Sequence, residues 1–212
     1  MVRLILVRHG FSLSNKDRRF TGQADIPLDE VGFLQAERVG EYLFSNFQID
    51  AIYSSDLSRT VDTAAPTARL FGLPIQKRKD LREVDVGRWG GHYFDSIKDE
   101  FPEDYALYKK DFSTFTYPGG ESCGDVRKRA EEAIAEIAKE NDGKTVMIVS
   151  HGGVLRVLRC VWTGHGLEDL QDMPRLLNAS ITVADYEDGK ACFHEINYTE
   201  HLDVTTDSGT VD

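Results

Sequence analysis

Three short segments of the chain combine histidine, arginine and small residues in a way that suits phosphate chemistry. Arg8 and His9 stand before a glycine, Arg59 follows a pair of serines, and His151 stands before two glycines. Arginine binds carboxylate and phosphate oxygens through paired hydrogen bonds. Histidine can act as a nucleophile as well as an acid or a base. These residue types therefore indicate a phosphate pocket with a histidine placed at phosphorus.

The glycines beside the second histidine support this interpretation. Gly152 and Gly153 begin a predicted helix, and the N–H groups at a helix N-terminus attract anions. A single histidine or arginine at a strand end is more often a structural residue or a surface ion-pair former. The functional interpretation depends on finding all three segments at equivalent places in the predicted elements.

The hydrophobic pattern places these segments at the carboxyl ends of predicted strands. Short buried strands are predicted at 2–7, 51–53 and 145–149, and helices follow each of them. Alternating strands and helices predict the α/β class, as a three-layer α/β/α sandwich around a mostly parallel sheet. Ligands bind such sheets outside the carboxyl ends of the strands, so we expect the three segments to converge.

Turn and capping residues predict further boundaries. A helix is predicted over 57–71, with Ser55 or Asp56 as its N-cap and a kink at Pro66. Near the end of the chain, two apolar runs flank a short polar turn that contains glycine. This pattern predicts a β-hairpin with strands at 181–186 and 191–196.

The length of 212 residues is sufficient for one well-packed domain. We predict a single domain over 1–202, with a short lid insertion at about 84–120 and a flexible tail at 203–212. The insertion is rich in glycine, proline and aromatic residues. Its aromatic side chains are predicted to form a small core beneath the lid rather than to stack directly on substrate.

Charge and cysteine content exclude several classes of partner. Lysine and arginine number 25 against 36 aspartate and glutamate residues, which gives a net charge of −11. Nucleic acid and anionic membrane surfaces are therefore not expected as partners, although a local pocket can still bind a small anion. Three cysteines without a CxxC pair favour reduced thiols. No apolar run is long enough for a membrane span or a signal peptide, and we expect a cytoplasmic protein.

Motifs along nearly the whole chain resemble those of the histidine phosphatase superfamily, also called the phosphoglycerate mutase-like family. The resemblance begins at Arg8–Asn15 and ends near His201. Between these points, the matching segments follow in order at 21–28, 53–60, 81–83, 117–122, 150–153 and 178–181. Several separate motifs in one order make the resemblance specific.

The resemblance implies a role for each matching residue of the phosphate pocket. His9 is the nucleophile, which attacks phosphorus in line and forms a phosphohistidine. Arg8, Arg59 and His151 hold the phosphoryl oxygens, and Asn15 completes the cradle. These roles agree with phosphoryl transfer in general, which needs positioning and charge neutralisation more than covalent help.

The resemblance also assigns the proton donor. Glu83 matches the residue that protonates the leaving oxygen, and it then serves as the base that activates water; without the resemblance it would be interpreted as a surface carboxylate. Gly22, Gln23 and Gly152 belong to matching motifs and are expected to help bind substrate. No metal or other cofactor is implied, and the remaining histidines have no metal-ligand spacing.

The resemblance leaves the acceptor of the phosphoryl group open. Residues 84–117 are short, acidic and aromatic, and Val84-Asp85-Val86 stands where mutases carry Arg-His-Tyr. This favours a metal-independent phosphatase acting on small phosphorylated metabolites. A cofactor-dependent phosphoglycerate mutase and a fructose-2,6-bisphosphatase-like sugar phosphatase stay as alternatives. A phosphate-binding scaffold without catalysis is less well supported, since every catalytic residue type is present, and a homodimer is an open alternative.

Overall fold

A computed structural model describes residues 1–202, so the predicted flexible tail lies outside the described residues. At the centre of this described part lies a six-stranded sheet. Its strands are β1 (Val2–Arg8), β2 (Ala51–Ser55), β3 (Ile75–Arg78), β4 (Thr145–Ser150), β5 (Ile181–Glu187) and β6 (Lys190–Tyr198). Strands β1, β2 and β4 are buried along most of their length, as expected for strands covered on both faces.

The strands are arranged in the order β3-β2-β4-β1-β5-β6. The first four are parallel to one another, β5 is antiparallel to β1, and β6 is antiparallel to β5. The mostly parallel sheet is therefore confirmed, and so is the predicted hairpin. In the β1–β4 register, Arg8 lies opposite Ser150. The residues that follow them, His9 and His151, therefore leave the sheet side by side.

Within residues 1–202, seven α-helices lie before, between and after the strands. They are α1 (Leu13–Asp17), α2 (Glu30–Asn46), α3 (Ser58–Phe71), α4 (Ile97–Glu100), α5 (Pro102–Lys110), α6 (Cys123–Glu140) and α7 (Gly152–Trp162). Short 3₁₀ helices lie at Lys79–Leu81, Gly87–Trp89 and Leu167–Gln171. Within residues 1–202, none of the helices combines the length and apolar character needed to cross a bilayer.

Alternate side chains of β1 pack on opposite faces of the sheet. Leu4 and Leu6 contribute to a core with α6 and α7, whereas Ile5 and Val7 contribute to a second core with α2 and α3. This alternation follows from the two-residue period of a strand. It produces the three layers that the sequence predicts.

The start of α3 differs from the prediction. Its N-cap is Leu57, with no side-chain cap hydrogen bond, and not Ser55 or Asp56. Both predicted caps are used elsewhere: Asp56 accepts two hydrogen bonds from Arg82, at 2.6 and 2.7 Å, and Ser55 contacts His151. The helix continues through Pro66 to Phe71.

Residues 84–120, which we call the aromatic segment, contain most of a third and smaller core. Trp89 is fully buried at its centre. Its indole packs against five aromatic rings, those of Phe20, Phe101, Tyr108, Phe115 and Tyr117. The aromatic residues thus form the small core that the sequence predicts.

Candidate active site

His9 follows the last residue of β1 and is 5% exposed. Its Nδ1 lies 2.7 Å from the carbonyl oxygen of Gly10. A carbonyl oxygen can only accept, so Nδ1 carries the proton and Nε2 has an unshared electron pair. The main chain that follows His9 is also fixed by hydrogen bonds. The N–H of Gly10 donates to Thr63 Oγ1 at 3.0 Å, and the N–H of Phe11 donates to Gln35 Oε1 at 2.8 Å. The local structure thus holds His9 in the tautomer whose Nε2 is unprotonated.

Asn178, which precedes β5, contacts the loop that carries His9, and the sequence motifs predicted no role for it. Its amide nitrogen donates to the carbonyl oxygens of His9, at 3.0 Å, and Gly10, at 3.3 Å. It also lies 3.4 Å from Oδ1 of Asn15, which accepts from the main chain and hydroxyl of Ser12. Because the oxygen of Asn15 is engaged in this way, its amide nitrogen is the group available to donate to a ligand.

His151 is fully buried beside the first histidine. The two ring centroids are 5.2 Å apart, at an interplanar angle of 60°. Nε of Arg59 donates to Nδ1 of His151 at 3.3 Å, and Nε2 of His151 lies 2.9 Å from the hydroxyl of Ser55. An arginine cannot accept a hydrogen bond, so the proton of the neutral ring is on Nε2.

Both histidines are held in the neutral form. Burial, followed by the charges of Arg59 and Arg8, lowers the pKa of His9 well below its ordinary value. Burial, followed by Arg59 and His9, does the same to the pKa of His151. A buried imidazole between two guanidinium groups gains no stabilisation from a second proton. His9 therefore keeps its electron pair at neutral pH.

Arg59 joins three parts of the site. Besides His151, its guanidinium donates to the carbonyl oxygens of Ala24 at 2.8 Å and Gly22 at 3.0 Å. Gly22 has a φ of +51°, and a Cβ there would lie 2.7 Å from the side chain of Val86. This position therefore needs glycine for its conformation as well as for space.

Arg8 turns from the end of β1 toward α7. One of its terminal nitrogens donates to the carbonyl oxygen of Leu176. Its Nε is buried and has no hydrogen-bond partner within residues 1–202. A Cβ on Gly152 would lie 3.2 Å from this atom. The unpartnered N–H at the start of a helix is suited to an anionic ligand.

Glu83 lies against the same helix N-terminus. Oε1 accepts from the main-chain N–H of Val84 at 2.9 Å, and Oε2 accepts from Gly153 at 3.1 Å. A Cβ on Gly153 would stand 2.5 Å from Oε1. Gln23 belongs to this neighbourhood, because its amide nitrogen donates to the Glu83 carbonyl oxygen at 3.2 Å.

These residues surround one cavity of about 420 Å³. Seven predicted site residues line it: Arg8, His9, Asn15, Gly22, Arg59, Glu83 and Gly152. Gln23 and His151 are not among the lining residues, and they contact Glu83 and Arg59 instead. The rest of the wall includes Tyr105, Tyr108, Phe112 and Tyr117 from the aromatic segment and its neighbourhood.

Further arginines in the cavity wall were not predicted. Arg156, on α7, donates to the carbonyl oxygens of Met173 at 3.1 Å and Gln171 at 3.0 Å, and Arg175 lies just beyond this segment. Arg156 lies one helical turn beyond the paired glycines. This spacing was the sequence feature that could have predicted its place in the cavity wall. Arg18 and Arg19 also contribute, and both follow α1.

The sequence matches the family model of the histidine phosphatase superfamily (branch 1) over residues 4–199. The chain belongs to the histidine phosphatase superfamily. This membership agrees with the arrangement of a neutral histidine, two arginines and a carboxylate around one cavity. It also confirms the family resemblance that the motifs indicate.

Individual members of the histidine phosphatase superfamily resemble the chain over almost its full length. Phosphoserine phosphatase 1 of Hydrogenobacter thermophilus is 33% identical over 202 residues, covering 95% of each chain. Metal-independent phosphoserine phosphatase of Arabidopsis thaliana is 34% identical, covering 95% of this chain and 84% of the relative. The structure of Bacillus stearothermophilus YhfR superposes with a TM-score of 0.89 at 31% identity, covering 95% and 99% of the two chains. The three-layer fold is therefore that of the family.

Proposed function

We propose that this histidine phosphatase hydrolyses L-phosphoserine and similar small phosphomonoesters that carry a carboxylate, without a metal ion. The observation that carries the proposal is the unprotonated Nε2 of His9, held beside two arginines in a cavity that Glu83 also lines. An uncharged nucleophile, fixed cations and a carboxylate are the groups that phosphoryl transfer through a phosphoenzyme requires.

In the first half-reaction, Nε2 of His9 attacks phosphorus and the bond from phosphorus to the ester oxygen breaks. The electron pair of that bond stays on the leaving oxygen, which takes a proton from the carboxyl group of Glu83. Arg8 and Arg59 neutralise the charge that develops on the phosphoryl oxygens, and Asn15 donates from its amide nitrogen. The products are phosphohistidine and the free alcohol.

In the second half-reaction, water attacks phosphorus from the side that the alcohol has left. Glu83, now a carboxylate, takes a proton from this water, and the bond from phosphorus to Nε2 breaks. Inorganic phosphate leaves, and His9 and Glu83 return to their starting protonation states. The same carboxyl group thus serves as acid and then as base.

The choice of substrate rests on the cations that the phosphoryl group does not use. Arg156 and Arg175 line the same cavity, and two positive side chains suit a second acidic group on the substrate. The two relatives named above as phosphoserine phosphatases support a carboxylate as that group. We further propose that the aromatic segment acts as a lid over this part of the cavity, within a single domain over 1–202.

A panel of phosphorylated metabolites tests the proposal. Phosphoserine, phosphoglycerate and sugar phosphates are incubated with the protein, and released phosphate and isomerised product are measured together. We expect hydrolysis, with phosphoserine turned over most efficiently, and acid-labile phosphate on the protein. His9→Ala abolishes both signals, whereas the exposed control His194→Ala keeps them.

Two results would contradict the proposal. Isomerisation of phosphoglycerate that outruns hydrolysis would make the protein a mutase. Absence of both turnover and phosphoenzyme across the panel would leave a scaffold that binds phosphate without catalysis.

A further inference from the structure

Arg129, on α6, makes an unusually complete set of hydrogen bonds beside the proposed acid. Its guanidinium donates to the carbonyl oxygens of Asp80 at 2.8 Å, Arg82 at 2.7 Å and Glu83 at 3.0 Å. The same group forms a two-point ion pair with Glu121, at 2.7 and 2.9 Å. Five hydrogen bonds from one guanidinium match its full donor capacity.

These hydrogen bonds are largely shielded from solvent. The side chains of Arg129 and Glu121 are 19% and 21% exposed. Three of the five acceptors are main-chain oxygens within residues 80–83, the segment that ends at Glu83. Arg129 therefore contacts the backbone that carries the acid and does not contact its carboxylate.

Glu121 extends this arrangement to the other side of Glu83. Its Oε2 accepts from the main-chain N–H of Asp85 at 2.9 Å, and its own N–H donates to the carbonyl oxygen of Asp85 at 2.8 Å. The chain is thus fixed both before and after the acid. Gly120 permits this contact, because a Cβ there would lie 2.2 Å from the Asp85 oxygen.

The carboxylate of Glu83 depends on that backbone for its position. Within residues 1–202, its hydrogen bonds come from the main-chain N–H groups of Val84 and Gly153. A general acid must lie within hydrogen-bond distance of the leaving oxygen, and an error of about 1 Å can cost about 100-fold in rate. A displaced segment would carry the acid away from the leaving oxygen.

We propose that Arg129, paired with Glu121, is a positioning residue that holds Glu83 where it can protonate the leaving group. This inference rests on the proposed function, in which Glu83 is the acid. A displaced Glu83 would affect the protonation of the leaving oxygen and the later activation of water, whereas the attack by His9 and the binding of the phosphoryl group do not depend on Arg129.

The leaving group provides the test. The alkoxide of serine needs a proton as it departs, whereas p-nitrophenolate departs without one. We expect Arg129→Lys to lower kcat/KM on phosphoserine by about 100-fold and kcat/KM on p-nitrophenyl phosphate by less than about 5-fold. This ratio covers the steps up to departure of the alcohol, so the hydrolysis of the phosphoenzyme, in which Glu83 is the base for both substrates, does not enter it. Arg127→Lys is the matched control, since Arg127 lies on the same helix, pairs with Glu131 at the surface and should keep both activities.

A double-mutant comparison separates positioning from general support of the fold. If Arg129 acts through the acid, Arg129→Lys has no further effect on phosphoserine hydrolysis once Glu83→Gln has removed the carboxyl group. Glu121→Gln serves as a second variant, in case Arg129→Lys does not fold, and it should reproduce the selective loss. Thermal unfolding of each variant identifies those that are folded.

The outcomes are distinct. Equal losses on both substrates, no loss on either, or an additional loss in the Glu83→Gln background would overturn the positioning role while the phosphatase function stands. A wild-type protein without activity on either substrate would instead overturn the proposed function.

Discussion

Nε of Arg59 donates a hydrogen bond to Nδ1 of His151 across 3.3 Å, between two side chains that are almost entirely buried. This contact fixes the tautomer of His151 and directs its remaining proton to Ser55. His9 has the opposite arrangement, with its proton on Nδ1. One histidine therefore presents an electron pair and the other a fixed N–H, although the residue type is the same.

The guanidinium group of Arg59 should be essential for activity. Arg59→Lys keeps the positive charge but cannot reach His151, Ala24 and Gly22 together. We expect kcat/KM to fall by about 100-fold or more, as on loss of a preorganised donor to a transition-state oxygen. Arg69→Lys, on the same helix and paired with Glu37 at the surface, should leave kcat/KM unchanged. Similar kinetics for the two variants would show that the guanidinium geometry of Arg59 is not needed.

Gly153, the second residue of α7, should not tolerate a side chain. In Gly153→Ala, the new methyl group would lie 2.5 Å from Oε1 of Glu83, so the carboxylate has to move. We expect kcat on phosphoserine to fall by about 10- to 100-fold. Gly124→Ala is the matched control, because Gly124 holds the second position of α6 and its Cβ would meet nothing closer than 3.6 Å. Unchanged kcat in Gly153→Ala would mean that the position of Glu83 does not limit the reaction.

Removal of divalent metals should not change the reaction. In the proposed mechanism, His9 supplies the nucleophile, and Arg8 and Arg59 supply the positive charge that a metal ion provides in other phosphatases. We expect kcat to be the same before and after treatment with EDTA. Vanadate, which resembles the transferring phosphoryl group, should inhibit in competition with substrate. A loss of activity in EDTA that added Mg²⁺ or Zn²⁺ restores would contradict this prediction.

The stability of the protein should decrease in mild acid, and His201 should contribute to the decrease. Its Nε2 donates to the carbonyl oxygen of Ala179, and its buried Nδ1 has no hydrogen-bond partner within residues 1–202. Burial lowers the pKa of His201 from 6.5 to about 4. The unfolded chain therefore takes up a proton at higher pH than the folded protein, and stability falls as pH decreases through this range.

His201→Gln tests this contribution. We expect the loss of Tm between about pH 7.5 and about pH 5 to be smaller by about 3 °C in this variant than in the wild type. His165→Gln, at an exposed position, should keep the wild-type loss. Equal losses in all three proteins would assign the acid sensitivity to other groups, such as the buried His9 and His151.

The convergence of Arg8, Arg59 and His151 was predictable because it depends on short-range patterns. Apolar runs identify β1, β2 and β4, and parallel strands present the residues at their carboxyl ends at one edge. Arg8, Arg59 and His151 meet there without any knowledge of exact distances. Assigning Glu83 required the family motifs, since a carboxylate in an irregular segment has no distinguishing pattern.

Other features depend on contacts that no local pattern encodes. Asn178 precedes β5, and it reaches the His9 loop because β5 runs antiparallel to β1 and so begins where β1 ends. Arg129 has the sequence signature of an ordinary surface residue of an amphipathic helix. The start of α3 was mispredicted because Asp56 pairs with Arg82, which a local capping rule cannot anticipate.

The register of β1 against β4 links catalysis to the completion of folding. His9 and His151 come from the first and last thirds of the chain, and they become neighbours only when Arg8 pairs with Ser150. Such distant pairing is slow compared with helix formation. Recovery of phosphatase activity during refolding therefore reports the closure of the central strands, and a fragment that ends before β4 contains His9 without His151.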